Sequence, residues 1–101
     1  MAREVALEIA VQDTDGVRIA AEVGARRVEL CAALGATGGL TPSIGLVEAA
    51  VAVAADVAGT ASRSRCTLVR PRPGGFVFDA AALDVQIRDV RAVVAAAPRA
   101  S

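Results

Sequence analysis

Residues 27–43 read RVELCAALGATGGLTPS. A short apolar run, Val28 to Cys31, carries a carboxylate at Glu29 and a thiol at its end; the chain then turns to small residues, paired glycines and Thr-Pro-Ser. RRVELC (26–31) reads as a strand, and glycines supply the torsions of a tight turn. Ser43 stands where a helix N-cap is needed, ahead of a segment from Ile44 to Ala58 in which Val47, Val51 and Ala54 recur on one face. The stretch therefore reads first as a strand-to-helix turn, one that displays Glu29 and Cys31 at its mouth.

The same order recurs on both sides of it. VALEIAV (5–11) alternates and is β-branched, which predicts a strand; Asp13 or Thr14 caps the helix that follows, and Gly24 closes it. Beyond the polar linker GTASRSR (59–65), CTLVR (66–70) predicts a third strand and PRPGGFVFD (71–79) a loop. Asp79 then precedes a helix whose Leu83, Ile87, Val90 and Val94 repeat at intervals of three and four. The pattern is βαβαβα, an α/β class with parallel strands and right-handed crossovers.

Strand alternation distinguishes the two architectures this order permits. With Val5, Leu7 and Ile9 toward the helices, Ala6, Glu8 and Ala10 face the other way. Likewise Val28 and Leu30 oppose Glu29 and Cys31, and Val69 opposes Leu68 and Arg70. Two acids and a base thus converge on the face without helices. A doubly wound sheet would bury them under a second helical layer, whereas a barrel places them in its polar mouth at the C-terminal strand ends. The expectation is a segment of a (β/α) parallel barrel, three βα units of the TIM type.

Composition restricts the partners. A chain of 101 residues makes one domain, and its formal charge of zero gives no basic surface for nucleic acid or an anionic membrane. All eleven basic residues are arginine and there is no histidine. The two cysteines lie in apolar runs behind no signal-like start, which argues against a disulfide framework and for a reducing cytoplasm. The longest apolar stretch, IGLVEAAVAVAADVAG (44–59), is interrupted by Glu48 and Asp56, so no membrane span is expected.

Three strings, ALEIAV (6–11), GARRVELCAALGATGGLTPS (24–43) and VRPRPGGFVF (69–78), resemble the N-terminal part of the CutC copper homeostasis family in order and spacing. The resemblance covers essentially the whole chain. It implies a cytoplasmic TIM-type barrel tied to copper tolerance, with copper as ligand, and carries Glu8, Glu29 and Cys31 over as site positions. Gly38, Gly39, Thr41, Pro42, Ser43, Arg70, Pro71 and Arg72 match as well. Members of the family are about twice this length or more and complete eight units. Residues 1–101 are therefore expected to be a single truncated domain, a fragment of such a barrel. Where some relatives carry cysteine, Ala10 and Val11 stand here, and Gly75 replaces an acidic residue, both of which thin a copper site.

Each feature has a plainer reading. Cys31 and Cys66 could offer soft thiolates to Cu(I), with Cys31 the metal candidate, yet free cysteine is commonly a small buried hydrophobe, and these two should lie at opposite ends of a parallel sheet. Glu8 and Glu29 are candidate catalytic acids or bases; Arg70, Arg72 and Ser43, at a helix N-terminus, are candidate ligands of a small polar or phosphorylated metabolite. The alternative is a salt-bridge cluster that fixes strand register. Three parallel strands cannot close a barrel, so an open edge remains and a homo-oligomer is expected, or an inactive fragment that self-associates.

Overall fold

The computed structural model describes residues 5–56 and 65–96. Strand β1 (Glu8–Val11) leads into helix α1 (Thr14–Glu22), and β2 (Arg27–Leu30) into a single turn, α2 (Leu34–Thr37), and helix α3 (Ile44–Asp56). Strand β3 (Arg65–Thr67) precedes the long helix α4 (Ala80–Ala96). All strand pairs are parallel in the order β1-β2-β3, which is the α/β class that the βαβαβα pattern implied. Most of the expected linker 59–65, the last two residues of the expected second helix and the C-terminal Ala-Pro-Arg-Ala-Ser lie outside the described residues. Among the described residues no helix is long and apolar enough to cross a membrane.

Caps set the helix starts. Asp13 accepts from Gly16 N at 2.7 Å, Ser43 Oγ from Leu46 N at 3.1 Å, and Asp79 from Ala82 N at 2.8 Å, each satisfying a donor that the first turn leaves free. Gly24, at φ 82°, ends α1 in the left-handed region, with Ala25 N donating back to Ala20 O. The core lies on one face of the sheet. Val28 and Leu30 of β2, Val11 of β1, Val17 and Ala20 of α1, and Val47 and Ala50 of α3 form one buried cluster. Burying each large member is worth about 1.5–3 kcal/mol. The opposite face carries Glu8, Ala10 and Arg27, all exposed, and the described core residues of α1 and α3 pack on the other side.

Helix α4 forms where its apolar repeat predicts it. The repeating residues Leu83, Ile87, Val90 and Val94 are between 46% and 68% exposed. The half-buried positions are Ala82, Gln86, Asp89, Val93 and Ala96, a helical face rotated by about one residue. Val93 and Ala96 pack on the core and α4 leans on α3. Among the described residues α4 follows the edge strand β3 and packs chiefly against α3, so its Leu83 side meets no further strand.

Gly16 is where α1 meets β1 most closely. A Cβ there would stand 2.8 Å from Val11 Cβ and 3.1 Å from Asp13 Oδ1. Gly16→Ala is expected to cost about 1–3 kcal/mol through overpacking, read from urea unfolding. Gly35→Ala, where a Cβ meets nothing within 4 Å, serves as the neutral control.

Candidate functional site

Paired residues of a parallel sheet share a face, so the helix-free side is read as successive rungs. Glu8 and Arg27 make the first, at the N-terminal edge, joined by an ion pair from Arg27 Nε to Glu8 Oε2. Ala10, Glu29 and Cys66 make the second. Cys31 and Leu68 stand one step further, their amides donating to Val11 O and Leu30 O. Arg70 follows at the C-terminal end. At roughly 3.3 Å per residue, Glu8 and Arg70 are about 20 Å apart along the strands. The expected convergence of Glu8 with Glu29 and Arg70 is thus corrected: Ile9 pairs with Val28, which sets Glu8 level with the first residue of β2 and hands its charge to Arg27. Glu29 is half-buried and makes no ion pair among the described residues.

The cysteines also sit differently from the expectation. Cys66 is level with Glu29, one two-residue step from Cys31 on the adjacent strand, so the two are diagonal neighbours about 7–8 Å apart at Cα and not at opposite ends. They still do not pair. Cys31 is buried and its Sγ donates to Val11 O at 3.5 Å, toward β1 and away from β3, while Cys66 is exposed. Burial, and then the nearby Glu29 carboxylate, push the Cys31 thiol above its ordinary value. Among the described residues no group of three His, Cys, Asp or Glu could hold a metal ion. One capped, protonated thiol and one exposed thiol do not fit a resident copper centre.

The loop after β2 roofs this end of the sheet. Ala32 and Leu40 exchange both backbone hydrogen bonds, at 2.9 and 2.8 Å, folding the segment back over itself. Within it Ala33 (φ 52°), Gly38 (φ 81°) and Gly39 (φ 115°) take left-handed torsions, and Gln12 accepts from Leu34 N at 3.0 Å. Gly39 is buried: a Cβ on it would lie 2.8 Å from Leu68 Cδ2 and 3.7 Å from Cys31 Cβ. Only glycine permits that approach at that φ.

Arg70 holds the roof in place. Its Nη1 donates to Thr37 O at 2.7 Å and Gly39 O at 2.9 Å, and its Nη2 to Gly74 O at 3.0 Å. Thr41 binds its backbone from both sides, and the guanidinium stacks 4.9 Å from the Phe76 ring centroid. Arg70 Nε is buried without a partner. Arg72 serves its own loop, donating to Pro73, Gly75 and Val77 carbonyls over the Phe78 ring. Both arginines act as loop staples, and Ser43 Oγ is engaged as the α3 cap. Sequence reasoning missed Gln12, Thr37 and the Arg27 partner of Glu8; setting EIAV (8–11) level with RVEL (27–30) places Glu8 beside Arg27.

A family model described as the CutC family matches residues 5–99. The chain belongs to the CutC family. It is 49% identical over 90 residues to a CutC family protein of Sinorhizobium medicae, covering 89% of this chain and 33% of that one. A CutC family protein of Caulobacter vibrioides is 41% identical over 92 residues, covering 91% of this chain and 34% of that one. The chain thus spans about a third of the length of these curated relatives. A solved CutC structure from Streptococcus agalactiae, assigned by its description to copper homeostasis, superposes with a TM-score of 0.79 at 26% identity, covering 92% of this chain and 42% of that one. The three parallel units are a segment of the CutC barrel, and the helix-free face is its inner side.

The two thiols should separate chemically: maleimide modifies Cys66 in the folded chain, and Cys31 only on unfolding. Because the folded Cys31 thiol is raised above 9.0, its stabilising contribution is complete below pH 9.0 and fades as pH climbs through the folded value. The urea midpoint should therefore fall above that pH, and less so in Cys31→Ala. Arg70→Lys, whose single ammonium cannot span three carbonyls, is expected to lose about 1–3 kcal/mol in the same assay.

Proposed function

We propose that the chain works in copper homeostasis as the N-terminal segment of a CutC barrel, with the C-terminal end of its sheet as the ligand side. The family match over residues 5–99 carries this reading, and the likeness to the Streptococcus agalactiae protein assigned to copper homeostasis supports it. Two free cysteines suit a reducing, cytoplasmic setting. Copper enters as cargo: Cys31 is the soft ligand it would meet, after loss of the thiol proton and displacement of the Gly39 roof. Glu29, two residues away on the same face, would be its neighbour.

A second reading is favoured by one observation, the buried and unpartnered Nε of Arg70 at the sheet end. In it the barrel acts on a small polar or phosphorylated metabolite. Arg70 offers its remaining donors to an anion, Ser43 adds the N-terminus of α3, and Glu29 serves as acid or base. Glu8 and Arg72 have lesser parts in this reading, since Arg27 and the Arg72 loop already occupy them.

Titration with Cu(I) against a competing chelator separates the two. Under the copper reading the chain withdraws Cu(I) and Cys31→Ala weakens uptake at least about tenfold, a change of about 1.4 kcal/mol. Uptake that is absent, or unchanged in Cys31→Ala, ends it. Under the metabolite reading inorganic phosphate raises the thermal midpoint of the chain but not of Arg70→Gln.

A further inference from the structure

Burial on the inner side of the sheet is uneven. Ala10 and Cys66 are exposed and Glu29 is half-buried, yet Cys31, one step further along the same face, is 0% exposed. Its cover is the loop that follows it. A Cβ on Gly39 would stand 3.7 Å from Cys31 Cβ, 3.7 Å from Leu34 Cδ1 and 2.8 Å from Leu68 Cδ2, so the Gly39 backbone lies directly on the thiol residue and its apolar neighbours. Ala32 and Leu40 close the base of that loop through their paired hydrogen bonds, which leaves residues 33–39 as a compact excursion whose ends meet.

We infer that residues 33–39 are a lid, hinged on the Ala32–Leu40 pair and latched over Cys31 by Arg70, and that release of Arg70 from the lid is the step that admits a ligand to that thiol. Three observations support a lid over a fixed turn. First, it is fastened from outside at few points. Among the described residues its backbone accepts from Arg70 Nη1 at Thr37 O and Gly39 O, and donates from Leu34 N to Gln12. Second, its conformation is not self-supporting. Ala33, Gly38 and Gly39, three of its seven residues, stand at positive φ, and Ala33 is the one non-glycine residue there among those described. Such torsions persist only where the surroundings hold them. Third, the latch is divided. Nη2 donates to Gly74 O and the guanidinium stacks on Phe76, both in the arginine's own loop, so Nη1 alone grips the lid. The closed arrangement also leaves Nε buried without a partner; opening brings water to that donor and offsets part of the two bonds given up. Copper as the admitted ligand rests on the reading proposed above, whereas the lid answers to thiol chemistry without metal.

The measurement is the rate at which iodoacetamide alkylates Cys31 in the 101-residue chain carrying Cys66→Ser, an exposed position whose change leaves a single thiol. In that parent the rate should be slow and should climb with urea as steeply as global unfolding does. In Arg70→Gln it should be at least about tenfold faster without urea, the scale set by two lost charge-assisted hydrogen bonds, and nearly flat at low urea while the helical circular dichroism is kept. Gly16→Ala, which loosens the fold away from the lid, should keep the urea dependence of the parent. Gln12→Ala removes the other fastening at an exposed position and should speed alkylation by a smaller factor, deciding the matter alone if Arg70→Gln loses its circular dichroism. Rates in both variants equal to the parent's, or climbing with urea as steeply as unfolding, overturn the lid and leave Cys31 covered by the fold as a whole. Acceleration by Gln12→Ala with a folded but unchanged Arg70→Gln overturns Arg70 as the latch. Cu(I) uptake that needs Cys31 yet is no faster in Arg70→Gln keeps the copper reading and ends the lid; faster alkylation without Cu(I) uptake does the reverse.

Discussion

Strand β2 is hydrogen-bonded on both edges, and the rest of the chain is arranged around that double pairing. Val28 and Leu30 turn to the helices and are buried, while Glu29 and Cys31 turn to the inner side. Four residues thus decide the core, the position of the candidate carboxylate and the position of the candidate thiol at once. A slip of one residue in register would exchange the two sets, placing Glu29 beneath the helices and Val28 in the mouth. Burial of Val28 and Leu30 against Val17, Ala20, Val47 and Ala50 makes that slip costly, so the site geometry is secured by packing on the opposite face.

The core is built from small residues. Among the described residues alanine supplies four of the ten buried hydrophobics, and large apolar side chains such as Leu7, Ile19, Leu83 and Ile87 are at least half exposed. This distribution follows from the barrel plan, in which each helix is covered partly by its neighbours and partly by two strands. The middle helix α3 has neighbours on both sides and buries Val47, Ala50 and Ala54; α4 has one and buries no residue completely.

Features governed by local rules were legible in the sequence. Asp13, Ser43 and Asp79 cap the helices they precede, Gly24 ends α1, and the alternation of β2 is as read. What escaped depended on contacts between distant segments. The Glu8–Arg27 ion pair requires the register of two strands, and the diagonal placement of Cys31 and Cys66 requires that of a second pair. Arg70, at the end of a strand, and Arg72, in the loop after it, are anion candidates because a guanidinium offers a fork of donors. Folding gives those donors to carbonyls that glycine torsions leave pointing inward, a pairing invisible to composition. The short turn α2 lies in a stretch of small residues without periodicity, and its start is set by Gln12 from another segment.

Through one planar group, Arg70 links the carbonyls of Thr37 and Gly39 in the loop after β2 to that of Gly74 in the loop after β3. The two loops are therefore mechanically coupled, and a shift of either is transmitted to the other without passing through the sheet. Energetically, substitutions in one loop are not independent of those in the other, as holds for residues sharing a hydrogen-bond network. The lining of the barrel mouth over these two units thus behaves as one piece, with the access of Cys31 to solvent governed from a loop more than thirty positions further along the chain.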